Sequence, residues 1–188
     1  GQLGNVDIVT SNLGLNSLVI TNGTSAAATL SGLAANAFVN INAAITTSLT
    51  AALAVATGTS DVINLSTNID GALTAGKVVV ASVETVNLEA LDKFVDVSGS
   101  FDAFGNAIPN GVDDTNSVQS IDLDIDEATT LNITGSADLT VDILDTNNSG
   151  ADIKTSLVDA SAFTGKLTLI ADGLIAGTTV KGGSGADT

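Results

Sequence analysis

Three glycines and an aspartate crowd the segment "KGGSGADT" (Lys181–Thr188). Gly182, Gly183 and Gly185 precede Asp187 in the order of the calcium-binding nonapeptide G-G-x-G-x-D-x-U-x, up to its apolar anchor. Glycines allow tight turns with exposed carbonyl groups, and the carboxylate of the aspartate adds further oxygen ligands beside them. The spacing predicts that these four residues form half of a calcium site; a plain glycine turn is the alternative.

A second acidic segment, "SIDLDIDE", alternates aspartates with apolar residues. On a strand, this alternation places the three carboxylates on one face at intervals of roughly 6.6 Å, where a divalent ion would relieve their repulsion. The candidate ligands are Asp122, Asp124 and Asp126, with Asp113 and Asp114 from the preceding segment. An EF-hand is rejected because Glu127 and Ile133 stand where that loop needs glycine and glutamate. The alternative is a solvated acidic edge that prevents association between sheets.

Other aspartates follow turn residues. "GTSDVI" and "GSADLTV" place Asp61 and Asp138 after a glycine, and for both we favour turn capping over metal binding. Asp92, Asp96 and Asp102 form a looser group that is a weaker candidate for metal binding.

The composition argues against an enzyme. The chain has no His, Cys, Arg, Tyr or Trp, which removes most side chains used as bases, nucleophiles or anion clamps. Carboxylate pairs alone would allow glycoside hydrolysis, but Trp and Tyr, which line sugar-cleaving grooves, are missing. The lack of Cys also excludes a disulfide framework.

The charge balance favours divalent cations as partners. Against 21 acidic residues stand five lysines, a net charge of −16, and repulsion from phosphate makes nucleic acid a poor partner. Residues 1–60 contain a single acid, Asp7, and no lysine. Asn40 and Asn42 interrupt the uncharged stretch, so we do not expect membrane insertion.

Short segments rich in Val, Ile, Leu and Thr recur throughout and predict an all-β fold. In the C-terminal third, successive segments begin at Thr130, Leu139, Ser156, Lys166 and Thr179. Small apolar residues and single turn glycines favour a parallel β-solenoid with rungs of variable length. A β-sandwich is the alternative that the strand count also allows.

Two stretches break this pattern. Residues 51–57 have enough alanine and leucine to suggest a short helix. Residues 98–117 hold the only proline, Pro109, and many turn residues, so we expect a loop inserted between rungs. Within it, Phe101 and Phe104 are expected to fold back on the sheet; an exposed partner-binding patch is the alternative.

Four segments occur in an order that resembles bacterial surface-layer proteins of the calcium-binding RTX type. They are "VETVNLEALD" (83–92), "TTLNITGSADLTV" (129–141), "SLVDASAFTGKLTL" (156–169) and "GTTVKGGSGADT" (177–188). The similarity is strongest over residues 77–188, the acidic rungs that end in a partial RTX motif at 182–188, and is diffuse over the uncharged residues 1–76.

The resemblance implies a right-handed parallel β-solenoid (β-helix or β-roll) that is exported by type I secretion and binds calcium. It implies a structural role in a self-assembled lattice, the S-layer, on the extracellular cell surface. The family's calcium ligands carry over to Gly182, Gly183, Gly185 and Asp187, although no second nonapeptide follows to complete that site. A secreted RTX adhesin that presents a loop to a host surface or a cell-surface polysaccharide is the alternative function.

Overall fold

The computed structural model describes residues 7–9, 15–69, 71–93, 118–144, 153–171 and 174–188. Within these ranges the chain forms fourteen strands and no helix, which confirms the all-β prediction. In chain order the strands are β1 (Asp7–Val9), β2 (Ser17–Ile20), β3 (Ala28–Leu33), β4 (Phe38–Ile41), β5 (Leu49–Leu53), β6 (Val62–Ile69), β7 (Leu73–Ala81), β8 (Thr85–Asp92), β9 (Val118–Asp124), β10 (Thr130–Gly135), β11 (Asp138–Ile143), β12 (Leu157–Phe163), β13 (Leu167–Ile170) and β14 (Thr179–Lys181).

Consecutive strands belong to different sheets. The odd sheet has the order β1-β3-β5-β7-β9-β11-β13, and the even sheet has the order β14-β12-β10-β8-β6-β4-β2. Each strand therefore pairs with the strand two places away in sequence. We call an even-numbered strand together with the odd-numbered strand that follows it a rung.

All pairings between the described strands are parallel. The hairpin pairings that are typical of an antiparallel β-sandwich are not found among them, because neighbouring strands in a sheet are separated by a strand of the other sheet. The fold is thus two parallel sheets between which the chain alternates.

The core consists of the inward-facing residues of both sheets. Leu65, Leu88 and Ile133 lie side by side in register on the even sheet and are almost completely buried. On the odd sheet, Leu30 and Ala51 form a similar row. Branched and small side chains in every rung give a thin apolar layer that continues along the molecule, as the aliphatic composition predicts.

The strand positions in the C-terminal third agree with the sequence. Observed strands begin at Thr130, Asp138, Leu157, Leu167 and Thr179, each within one residue of the predicted start. The helix expected over residues 51–57 was wrong: Leu49–Leu53 is strand β5, and its alternating burial shows that packing between sheets overrides helix propensity.

The predicted insertion at 98–117, with Pro109, Phe101 and Phe104, lies outside the described residues. Asp113 and Asp114 lie outside them too. Among the described residues, no helix has the length and apolar character needed to span a membrane.

Candidate functional site

The glycine-rich segment joins the two sheets. It follows β14 of the even sheet and leads to Thr188, which pairs with β13 of the odd sheet: the Thr188 amide donates to the Leu167 carbonyl (2.9 Å), and the Leu169 amide donates to the Thr188 carbonyl (3.0 Å). Residues 182–187 are therefore the turn of a further rung.

Close packing between rungs explains why this turn contains glycines. A Cβ atom at Gly183 would clash with the carbonyl oxygen of Phe163 in the preceding rung, and one at Gly185 would clash with that of Gly165. At Gly182, the added atom would lie 2.8 Å from the Asp187 carboxylate. The close approach of the backbone demands glycine at Gly183 and Gly185 whether or not an ion binds there, whereas at Gly182 the neighbour is a side chain.

Asp187 ties the turn together and links it to the preceding rung. Its Oδ2 atom accepts a hydrogen bond from the Gly183 amide (2.7 Å), and its Oδ1 atom accepts one from the Leu167 amide (3.1 Å). It is the only carboxylate within the 182–187 turn. A calcium ion takes six to eight oxygens, so one carboxylate and adjacent carbonyl groups supply part of its coordination shell.

Asp61 and Asp138 each accept a hydrogen bond from a backbone amide, Asp61 within its own turn and Asp138 from the next rung. The Asp61 Oδ2 atom accepts from the Gly58 amide (3.1 Å), and the Asp138 Oδ1 atom accepts from the Lys166 amide of the next rung (3.0 Å). In addition, the Asp61 amide donates to Glu84 Oε2 (2.8 Å). The Asp61 contact agrees with turn capping, whereas Asp138 links its rung to the next one instead of capping its own turn.

The alternation in "SIDLDIDE" is confirmed on its apolar side. Ile121, Leu123 and Ile125 are buried in the core. Asp124 retains only 8% exposure, and its carboxylate forms an ion pair with Lys77 Nζ at 3.1 Å. A lysine on the neighbouring strand, 47 positions earlier in the chain, thus neutralises part of this acidic segment; local spacing gave no signal of it.

Strand register adds an acidic residue that sequence analysis missed. Asp142 of β11 is the direct neighbour of Asp122 of β9 on the odd sheet, and Lys77 of β7 is the neighbour of Asp122 on its other side. Parallel strands lie about 4.8 Å apart, so the two carboxylates repel each other. The segment "TVDIL" carries the same alternation as "SIDLDID" and could have identified Asp142.

No group of three or more His, Cys, Asp or Glu side chains is arranged to hold a metal ion within the part of the chain that the structure describes. Asp122, Asp124 and Asp126 follow one another along β9 and the residues after it, but the described side chains do not converge on one point. Of the looser group, Asp92 ends β8, while Asp96 and Asp102 lie outside the described residues. Any site in these regions requires backbone carbonyl groups or ligands from elsewhere.

The outer face of the even sheet carries a polar feature that sequence analysis also missed, a ladder of asparagines. Asn132 Nδ2 donates to Asn87 Oδ1 (2.9 Å), and Asn87 Nδ2 donates to Asn64 Oδ1 (2.8 Å). Asn64 Nδ2 donates in turn to the Asn36 carbonyl (3.0 Å). The recurring tetrapeptides "VINL", "TVNL" and "TLNI" place one asparagine per rung and could have identified the ladder.

The same column continues as an ion pair. Asp159 is the register neighbour of Asn132, and Lys181 is the neighbour of Asp159. Lys181 Nζ lies 2.7 Å from Asp159 Oδ2, while the Ser161 hydroxyl and amide donate to Asp159 Oδ1. The hydrogen bonds from Lys181 and Ser161 hold the pKa of Asp159 well below its usual range.

A groove runs along the asparagine ladder. We call it the ladder groove; its lining side chains include Phe38, Ser66, Asn87, Glu89, Asn132 and Thr134. Phe38 is 54% exposed, in contrast to the fully buried Phe163. The groove therefore combines an accessible aromatic ring with amide, hydroxyl and carboxylate groups.

Comparison with known proteins does not assign a family to the chain, so function is argued from the fold and from these surfaces. No protein-family model matches the chain, and a search of curated proteins returns no match.

Proposed function

We propose that the chain is a structural segment of an RTX-type surface-layer protein, a right-handed parallel β-solenoid that binds calcium and self-assembles on the outside of a bacterial cell. The observation that carries the proposal is the strict alternation of strands between two parallel sheets, ending in the glycine turn at 182–187. A chain built this way forms an extended scaffold whose rungs repeat one local arrangement.

Calcium is the cation that the donor chemistry favours. The described ligand candidates offer only oxygen: the Asp187 carboxylate with the backbone carbonyls of its turn, and Asp122, Asp124 and Asp126 on the outer face of the odd sheet and just beyond it. Asp113 and Asp114 remain candidates by sequence alone. An ion bound here would lower the repulsion that a net charge of −16 imposes on a compact chain and on packing between copies.

Coupling between calcium and folding would suit an exported protein. An acidic chain that folds fully only with calcium stays extended where calcium is scarce and becomes compact outside the cell. Type I secretion and a location in the S-layer are parts of this proposal, and a calcium-stabilised adhesin segment is the second candidate. The ladder groove favours the adhesin, because it offers an exposed binding surface away from the acidic odd sheet.

Sedimentation velocity of the purified chain tests the proposal. We expect a slow, expanded monomer in excess chelator and a compact species that associates in millimolar calcium. Magnesium at equal concentration should be less effective because it tolerates irregular oxygen sites poorly. Electron microscopy of the calcium sample should show ordered sheets or filaments; a stable compact monomer would favour the adhesin instead.

Two matched variants separate ion binding from turn capping. Asp187→Asn should shift the calcium midpoint to higher concentration, because it removes a carboxylate ligand. Asp138→Asn, which alters a carboxylate with a similar hydrogen bond to the neighbouring rung, should lower stability by the same amount with and without calcium. Identical sedimentation of the original chain in calcium and in chelator would contradict the proposal.

A further inference from the structure

The ladder groove is distinct from the candidate calcium ligands. It lies on the outer face of the even sheet across β4, β6, β8 and β10, whereas Asp122 and Asp142 lie on the odd sheet. From its chemistry we infer that the ladder groove binds an extended, uncharged polysaccharide. This inference names a binding partner for the cell-surface protein proposed above. It relies on that proposal only for the location, the cell surface, at which the protein would encounter the polysaccharide.

The polar groups of the groove are already held in place. Asn64, Asn87 and Asn132 fix one another through side-chain hydrogen bonds, so a ligand need not pay the entropy of ordering them. The side-chain amide nitrogens of Asn87 and Asn132 each use one N–H group in the ladder and have a second N–H group for a hydroxyl acceptor. A preorganised row of amides is a suitable surface for a polyhydroxylated chain.

The lining also contains acceptors with unused capacity. Within the described part of the chain, neither the Glu89 carboxylate nor the hydroxyls of Ser66 and Thr134 form a side-chain hydrogen bond or ion pair. Glu89 accepts only, while the hydroxyls donate and accept. Sugar hydroxyls likewise donate and accept, so they can satisfy both kinds of group at once.

Phe38 supplies the apolar contact. Its ring is half-exposed in the groove, next in register to Asn64. The C–H face of a pyranose ring packs on such an aromatic surface, while the hydroxyls at its rim reach the neighbouring polar groups. The exposed ring serves no purpose in the core, which is closed by Val39 and Leu65 beneath it.

The repeat of the groove fits a chain of sugar units. Asn64, Asn87 and Asn132 recur at the strand spacing of about 4.8 Å, measured across the strands. A pyranose chain lying across the strands has a repeat of comparable length, so successive units meet the same type of donor. Affinity then grows with the number of units engaged.

The negative charge of the protein favours an uncharged polysaccharide over an acidic one. With a net charge of −16 and Glu89 within the groove, the protein repels acidic polymers. A second copy of the chain is a poorer occupant, because the large apolar side chains exposed on the outer face of the described even sheet are only Phe38 and Val19. That patch is small compared with the apolar centre of a stable protein interface.

Titrations of the full chain in saturating calcium, followed by amide NMR shifts and calorimetry, test the inference. The probes are cellohexaose and chitohexaose, with hexagalacturonate as the acidic control. We expect saturable shifts on β6, β8 and β10 with at least one neutral probe and none with the acidic probe. Phe38→Ala should raise the Kd about tenfold, and Phe38→Trp should preserve binding.

Ile170→Ala is the matched control, since Ile170 is an exposed apolar residue on the odd sheet, and it should leave the Kd unchanged. Failure of both neutral probes to bind, or equal binding of hexagalacturonate, would overturn the inference. So would a Phe38-dependent dimer without sugar binding, which would identify a second copy as the occupant. Repeating the titration in chelator separates the two proposals: sugar binding by a calcium-indifferent chain would retain the groove and reject the calcium role.

Discussion

The hydroxyl of Thr67, on the even sheet, donates a hydrogen bond to the side-chain Oε1 atom of Gln119, on the odd sheet, in the middle of the apolar core. Gln119 also donates from Nε2 to the carbonyl of Leu91 at 2.8 Å. Leu91 precedes the undescribed residues 94–117 and Gln119 follows them. The Gln119 side chain thus connects the odd sheet to the even sheet, and it also connects the residues just before that segment to those just after it.

Breaking this buried contact should destabilise the protein strongly. Gln119→Leu leaves the buried Thr67 hydroxyl and the part-buried Leu91 carbonyl without that partner, at an expected cost of about 3 kcal/mol. Thr67→Val combined with Gln119→Leu should recover part of the loss, because both ends of the sheet-to-sheet bond become apolar. Urea unfolding of the four proteins measures the coupling energy; strictly additive losses would show that the two side chains act independently.

Because the backbones of neighbouring rungs pack closely, substitution by alanine should destabilise the protein more at Gly165 than at Gly177. Gly165→Ala forces a Cβ atom against the Ala137 carbonyl, a rigid neighbour, and should cost about 3 kcal/mol. Gly177→Ala is the control: it meets nothing within 4 Å, so the strain of its positive φ of 96° alone should cost about 1 kcal/mol. Equal losses in thermal unfolding would contradict the packing argument.

The asparagine ladder should contribute measurably to stability. Asn87→Ala removes both of its side-chain hydrogen bonds within the ladder, and we expect a loss of about 1–2 kcal/mol, since water can reach the groups left behind. Asn22→Ala, at an exposed asparagine whose side chain donates to the adjacent Thr21 hydroxyl, should change stability by less than about 0.5 kcal/mol. If Asn87→Ala were as stable as Asn22→Ala, hydrogen bonds to water would replace those of the ladder at no cost, and the ladder would not contribute to stability.

The Asp159–Lys181 pair predicts a pH effect of definite sign. Because its folded-state pKa is lowered, Asp159 stabilises the fold above the ordinary carboxyl pKa of about 3.9, and this contribution disappears as the pH falls further toward the folded-state value. Asp159→Asn should therefore be less stable than the original chain at neutral pH. The difference should shrink in acid and in high salt, because the pair is exposed. Unfolding curves at several pH values check this, and a gap that widens in acid would reverse the assignment.

Much of the architecture could be predicted from the sequence. Alternation between apolar and polar residues identified the strands because each strand has one face against the core, as in "SIDLDID". Single glycines between segments indicated parallel rungs, and Asp61 could be interpreted as a turn cap from local spacing. These features depend on residues that are close together in the sequence, so the local pattern of residue types is enough to predict them.

The features that escaped prediction depend on register between rungs. Asp142 beside Asp122, and Lys77 paired with Asp124, become neighbours only when loop lengths have fixed how one strand lies against the next. The short segment 51–57 was misjudged for a similar reason, since alanine and leucine suit a helix locally but fill the space between two sheets here. Local sequence does not encode either relationship.

The alternation of strands between sheets also limits how the length of this protein can change. Deleting or duplicating one strand would send every later strand to the opposite sheet, where its neighbours and turns would be wrong. Deleting or duplicating two consecutive strands keeps each remaining strand in its own sheet. Viable insertions and deletions of strands should therefore come in pairs, so related chains should differ by whole rungs.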